Sequence, residues 1–465
     1  MYSPHSSERD SYRTIVTRRN AAEILLLGSG SDWSLPRVEI FPRQRIAEQL
    51  MVEVWKKLEL QAYCLFIPTL PAPVRNGQEA NYAVMESFND DGKTPAGARW
   101  MPVAETACCS TDKEAEAIKA SLHELETYSS GDRFGPFARP GWLRELLQWT
   151  QQQIGPLGLR LTGGFRQLNA SPTFSLVRLE TDGPAIWFKA TGEPNSHELP
   201  LSVSLARLFP RFVPAILGIH ASWNGWLSPE VPGTSLDEIA ECSTWERVAE
   251  ELTELQIASV GKSTELLECK CKDLRIPKLA GLIDPFLARM SELMAEQKKP
   301  SPAPLTNAEL AFLGDQLREA CSLLQALGLP DTLGHIDFNP GNIVVSADGC
   351  VFLDWAEGCV TQPLITFDYL REHLKRSQIQ EAAALERITA AYARPWRCFY
   401  SPDDLRRAMD VSPLVAVFAY AVACKTWSSS NAVENLHGNA YLRSLTRRMY
   451  REAMGIAGRS ERCLA

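Results

Sequence analysis

The segment Gly334 to Glu357, GHIDFNPGNIVVSADGCVFLDWAE, constrains this chain more than any other, because a His335-x-Asp337-x-x-x-x-Asn342 spacing runs directly into a β-hairpin pattern. Asn342 to Ser346 and Cys350 to Trp355 read as its two strands, with Asp348-Gly349 in the turn. A turn centred near Asp348 makes Asn342 and Asp354 cross-strand neighbours, within one residue of register. An amide oxygen and a carboxylate that meet at a hairpin base form a hard oxygen site suited to Mg²⁺, an ion that keeps several waters and binds substrate phosphates. Asp337 enters the same loop, where a carboxylate accepts or orients the proton of an attacking hydroxyl. Each of these residue types also builds ordinary turns, so it is the joint spacing that points to chemistry.

The rest of the chain sets limits. Its 465 residues, 45% of them hydrophobic, suit two to four domains with real cores. A formal charge of -8 lacks the basic footprint of a nucleic-acid binder. The longest apolar run, Leu414 to Cys424, falls short of the roughly 20 residues that span a bilayer, so no membrane partner is expected. The N-terminus, MYSPHSSERDSYR, lacks the apolar core of a secretory signal, and the 12 cysteines are scattered. Cys108-Cys109 and Cys269-Lys270-Cys271 lack tetrahedral zinc spacing. These features predict a cytoplasmic multidomain protein with reduced thiols.

Punctuation divides the chain into a polar tail (1–18), an α/β domain (19–130), a linker and helix (131–155), a small β-rich lobe (156–234) and a large helical lobe (235–460). Three strands fill 159–190, the last two joined across Thr181-Asp182-Gly183. Ser243-x-x-Glu246 and Thr306-x-x-Glu309 read as capping boxes; the second helix would run to Gly328 with Leu310, Leu313, Leu317, Cys321 and Leu324 on one face.

The HxDxxPGN-like segment resembles the aminoglycoside phosphotransferase and choline kinase-like family of small-molecule kinases, over roughly residues 140 to 450. That resemblance implies an α+β, bilobal protein-kinase-like fold, ATP or GTP with Mg²⁺ as cofactors, and a small-molecule acceptor. It makes Asp337 the catalytic base and Asn342 and Asp354 the metal ligands. Lys189, ending the strand-like run Ala185 to Phe188, supplies the cation for nucleotide phosphates, with Glu198 as its ion-pair partner by analogy with kinases. Gly163 and Gly164 offer close backbone approach to phosphate, and Asn169 to Thr173 offers polar groups for the same task. Trp226 to Val231 resembles the hinge, where Glu230 and Val231 would meet the adenine edge. Asp368 is either a buried structural carboxylate or a catalytic one, and Glu357 either reaches metal or substrate or stays at the surface. Ile336 replaces a frequent Gly, and Trp355-Ala356-Glu357 replaces the Phe-Gly of protein kinases, which argues against a protein substrate.

Before the kinase-like region, Trp33 to Glu39, an amphipathic stretch from Gln44 to Leu58 and the apolar Ala62 to Ile67 follow an order similar to a Nudix domain. Lys56 and Lys57 stand where that signature has glutamates, and ammonium groups do not coordinate Mg²⁺. A scaffold without the hydrolase site is expected, with an unrelated α+β domain as the other candidate. The expected function is phosphoryl transfer from ATP to a hydroxyl of a small molecule. The alternative is a nucleotide-binding pseudokinase or regulatory module whose N-terminal domain takes an intramolecular or protein partner.

Overall fold

The computed structural model describes residues 9–29, 32–42, 45–68, 81–88, 94–108, 112–379, 381–424, 427–428 and 436–464. Residues 1–8 of the expected tail, Gln44 and Cys109 lie outside them. The chain divides into two compact units, Met1–Leu199 with Ala215–Glu230, and Pro200–Pro214 with Val231–Ala465.

The first unit opens on a mixed sheet of β1 (Asp10–Arg18), β2 (Glu23–Ser29), β3 (Asp32–Ser34), β4 (Arg37–Ile40), β5 (Ala62–Phe66), β6 (Asn81–Ser87) and β7 (Ala98–Pro102), with helix α1 (Ile46–Leu58) between β4 and β5. The order is β3-β2-β1-β6-β5, with β4 on β1 and β7 on β2, and β1 runs parallel to β6. Asp10–Arg18 is therefore an interior strand, which corrects its assignment to a polar tail. Its polar residues misled because they are satisfied in place. Thr14 and Thr17 are fully buried, and their hydroxyls donate to the carbonyls of Pro36 (3.2 Å) and Met85 (3.1 Å). On α1, Ala47, Leu50, Val54 and Leu58 bury one face at helical spacing, while Lys56 and Lys57 stay exposed, bonded to Glu53 and to the Arg37 carbonyl.

Helices α2 (Asp112–Ser130) and α3 (Trp142–Ile154) lead to a second, antiparallel sheet: β8 (Leu161–Ala170), β9 (Ser175–Thr181), β10 (Ile186–Ala190), β11 (Gly218–His220) and β12 (Gly225–Pro229), with helix α4 (Glu198–Leu208) inserted between β10 and β11 and belonging from Pro200 onward to the second unit. Its order is β11-β12-β10-β9-β8. One apolar core runs beneath both sheets. Within it the Trp142 ring meets Tyr63 of the first sheet at 5.8 Å and Phe137 at 5.2 Å, and Phe137 meets Phe188 of the second at 6.0 Å.

The second unit is mainly helical. It contains β13 (Thr234–Ser235), α5 (Cys242–Ser259), α6 (Ser263–Glu268), β14 (Lys272–Leu274), α7 (Ile276–Ala280), α8 (Ile283–Ala295), α9 (Asn307–Leu327), β15 (Thr332–His335), β16 (Ile343–Ser346), β17 (Gly349–Phe352), β18 (Gly358–Thr361), α10 (Pro363–Leu374), α11 (Ala384–Trp396), α12 (Pro402–Ala423) and α13 (Leu436–Leu464). A small antiparallel sheet followed by a larger helical unit is the α+β order expected of a kinase-like chain. The capping box at Thr306 and Glu309 forms, and the expected face of α9 is buried. The one expected at Ser243 does not: α5 starts at Cys242 without a side-chain cap, because the Glu246 carboxylate bonds Arg387 instead. No helix among the described residues is long and apolar enough to cross a membrane, and Leu414 to Ala419 pack inside.

Because Trp142 joins the cores of both sheets, Trp142→Ala should cost about 3–5 kcal/mol, the usual loss for a large buried aromatic. Tryptophan fluorescence and far-UV circular dichroism should lose both sheets in one transition. A first sheet that melts separately, with the second unaffected, would contradict the shared core.

Candidate active site

The second unit brings the Gly334–Glu357 segment together around one buried side chain. His335 ends β15 and is 1% exposed. Its Nδ1 accepts the backbone N–H of Asp337 at 3.1 Å, and its Nε2 meets the carbonyl of Leu353 at 3.2 Å. The first partner can only donate and the second only accept, so the ring is neutral with its proton on Nε2. Burial lowers its pKa in the same direction, against the nearby carboxylates of Asp354 and Asp337. The ring packs against Phe338 at 5.8 Å and Trp355 at 5.1 Å.

The loop after His335 is tied to the carbonyl of Asp337, which accepts the Asn339 backbone N–H at 2.8 Å and the Asn342 side-chain amide at 3.2 Å. With its NH₂ engaged there, Asn342 is left with its amide oxygen free of that contact. The Asp337 and Asp354 residues are exposed. The hairpin register differs by one from the expected one: Ile343 faces Phe352, and Leu353 N–H donates to the Asn342 carbonyl at 2.8 Å. Asn342 is thus opposite Leu353. Asp354 follows in a left-handed conformation, φ 60° and ψ 61°, which turns the chain out of the hairpin. The tight Ala347-Asp348 turn accounts for the shift.

Two neighbouring carboxylates have structural partners. Asp368 lies buried in α10 with Oδ1 2.8 Å from Arg371 Nη1, and burial pushes its carboxyl up to about 6. Glu357 pairs with Lys272. Beside Asp337 lies a hollow of about 610 Å³ whose lining includes Asp237, Glu238, Asn339, His373 and Arg376. His373, in the last turn of α10, and Arg376, just after it, carried no sequence signal, since nothing in their spacing marks them as close to Asp337.

In the first unit, Lys189 on β10 bonds the carboxylate of Glu198, the buried first residue of α4, and its ammonium stands 5.8 Å from the Trp226 ring centre. Nine residues suffice because Asn224 gathers the connector, its side chain donating to the carbonyls of Thr191 (2.7 Å) and Ser196 (2.9 Å). Register then locates the other expected nucleotide groups. Lys189 faces Leu176, and Leu176 faces Asn169, so the Asn169 to Thr173 stretch leads away from the Lys189 row into the β8–β9 turn. Gly163 and Gly164 are not brought there. They precede Phe165, which is in the row of Leu179 and Ile186, about 10 Å along the sheet at the usual strand rise. They serve an irregularity in β8, where Gly163 has φ +90° and a Cβ on Gly164 would come within 2.9 Å of Glu180. The carboxylate of Glu230 is held by the Arg178 guanidinium at 2.7 and 2.8 Å, which lowers its pKa, and its N–H donates to Ala185. Val231 begins the longer segment of the second unit and is half-buried.

Asp368 gives a pH prediction. Its carboxyl is raised in the folded chain, so its contribution favours the fold at low pH and is lost as pH rises from about 4, the unfolded value, through about 6. Chemical denaturation of wild type and Asp368→Asn across that window should show the wild type losing stability relative to the variant. Parallel pH profiles would refute the shift.

Residues 211–399 match the family model described as the phosphotransferase enzyme family. Asp337, Asn342 and Asp354 lie inside that span; Lys189 and Glu198 lie outside it. No curated protein matches the chain. Among solved structures, the chain is similar to an ethanolamine kinase of Plasmodium vivax (13% identity, 72% of this chain and 95% of that one, TM-score 0.47). It is also similar to a choline kinase of Cryptosporidium parvum (12%, 69% and 94%, TM-score 0.46). A choline kinase of Streptococcus pneumoniae is similar too (12%, 68% and 99%, TM-score 0.42).

Proposed function

We propose that this chain transfers the terminal phosphoryl group of ATP to a hydroxyl of a small molecule. The observation that carries this reading is the His335 bridge, which fixes the backbone beside Asp337 and beside Asp354 within a span that matches a phosphotransferase family. The donor set suits a hard cation: an amide oxygen on Asn342 and an exposed carboxylate on Asp354. Mg²⁺ held there would offset charge on the phosphoryl oxygens.

The chain's own groups divide the remaining work. Asp337, whose carboxylate is exposed beside the hollow, takes or orients the proton of the acceptor hydroxyl. Lys189, oriented by Glu198, binds nucleotide phosphates, and Val231 offers backbone groups to the base. The carboxylate of Glu230 is held by Arg178, which fixes the segment leading into Val231. The acceptor binds in the hollow, whose lining of Asp237 and Glu238 against His373 and Arg376 suits a polar molecule.

The test is a product-mass screen with ATP and Mg²⁺ across amino sugars, amino alcohols, sugars and nucleosides. A phosphorylated product should form with wild type and fall about 10²–10⁴-fold with Asp337→Asn, the usual range for a lost general base. Wild-type turnover in that variant would overturn the role of Asp337. For Asp354→Ala, calorimetry should show loss of the Mg²⁺ dependence of nucleotide binding, and an unaltered dependence would refute a metal role. Nucleotide binding without any transfer would favour a regulatory binding module instead.

A further inference from the structure

The two sheets of the first unit meet through their edges. β5 ends the order of the first sheet and β8 ends that of the second. Both edge strands carry an irregularity at the meeting point, β5 between Cys64 and Phe66 and β8 between Gln167 and Asn169. Gln167 bridges them. Its side chain is buried at 1% exposure, its Oε1 accepts the Cys64 backbone N–H at 2.9 Å, and its Nε2 donates to the Cys64 carbonyl at 2.8 Å. One amide thus does for the open edge of β5 what a neighbouring strand would do.

Further ties hold the same stretch. Arg166 bonds Glu48 of α1, and the Phe165 ring packs 5.0 Å from Phe88. Beyond the bridge, Asn169 stands in the row of Lys189, and the β8–β9 turn begins. That turn is fastened as well: the Phe137 N–H donates to the Pro172 carbonyl at 3.1 Å, and a Cβ on Gly192 would come within 2.5 Å of Thr173. The strand leading to the turn is therefore mounted on the N-terminal sheet.

We propose that the β8–β9 turn, which begins beside Asn169 in the row of Lys189, takes part in binding nucleotide phosphate, and that Gln167 is the positioning residue through which the N-terminal sheet holds that turn. The inference rests on the phosphotransferase reading for its ligand, and on the Cys64–Gln167 bridge for its mechanism. It gives the N-terminal sheet a task that needs none of the carboxylates missing at Lys56 and Lys57. It also separates Gln167 from residues that touch substrate, since its amide is consumed by Cys64.

The full chain, Gln167→Leu and Gln167→Glu should be compared by calorimetric titration with the non-hydrolysable analogue AMP-PNP and Mg²⁺, and by hydrogen exchange of peptides covering 169–175 and 334–357. Leucine matches the volume but leaves both Cys64 backbone groups unpaired; glutamate keeps the acceptor and loses the donor. The leucine variant should bind nucleotide on the order of tenfold more weakly, as expected when a buried pair of backbone bonds is lost. Exchange should speed up in 169–175 and stay unchanged in 334–357, with glutamate intermediate. A lower melting temperature with affinity and 169–175 exchange unchanged would make the bridge a structural tie only and overturn the proposal. If leucine prevents folding, a glutamate variant identical to wild type in both readouts overturns it equally. Failure of the wild type to bind nucleotide would sink the phosphotransferase reading, and with it the nucleotide role of Gln167; a binding wild type with unaltered variants would sink that role alone.

Discussion

A neutral imidazole with two one-way partners sets the geometry on which the second unit depends. The Asp337 N–H can only donate and the Leu353 carbonyl can only accept, so His335 satisfies both in one tautomer. Leaving a buried polar group unpaired costs about 1–3 kcal/mol, and this ring prevents that at two points of the chain at once. The points matter because each is next to a carboxylate that the proposed reaction uses. Asp337 and Asp354 can remain exposed to solvent while their backbone is fixed from below, which gives precise placement without burying charge.

The first unit solves a related problem with amides. Asn224 draws in the connector after β10, so that Glu198 starts its helix within reach of Lys189. Gln167 closes the edge of β5 and fixes the strand before the β8–β9 turn. In both cases a short side chain replaces the longer backbone ladder that would otherwise be required. The apolar core around Trp142 and Phe137 then makes the two sheets a common support.

Much of this was legible in the residues. The alternation around a tight turn located the β16–β17 hairpin, and the capping box at Thr306 located α9 together with its buried face. The failures have identifiable causes. β1 looked polar, yet its Thr14 and Thr17 are satisfied by the carbonyls of Pro36 and Met85, both distant in the chain. Ser243 and Glu246 looked like a cap, but Arg387 takes the glutamate. Gly163 and Gly164 looked like a phosphate-binding pair, yet register sets them at the other end of β8 from the turn beyond Asn169. Composition cannot distinguish a glycine that approaches a ligand from one that relieves a crowded strand.

The sequence by itself determined the local chemistry: the His335, Asp337, Asn342 and Asp354 spacing, the hairpin that follows, and the strand that carries Lys189. These follow from interactions among residues close in the chain, which pattern and turn composition encode directly. Tertiary structure decided the one-residue register that sets Asp354 beyond Asn342, the return of Glu198 to Lys189, the place of His373 and Arg376 beside Asp337, and the union of β5 with β8 through Gln167. Those outcomes depend on buried polar groups finding partners far away in sequence, and the energy of such a pairing exists only once the fold has brought the partners together.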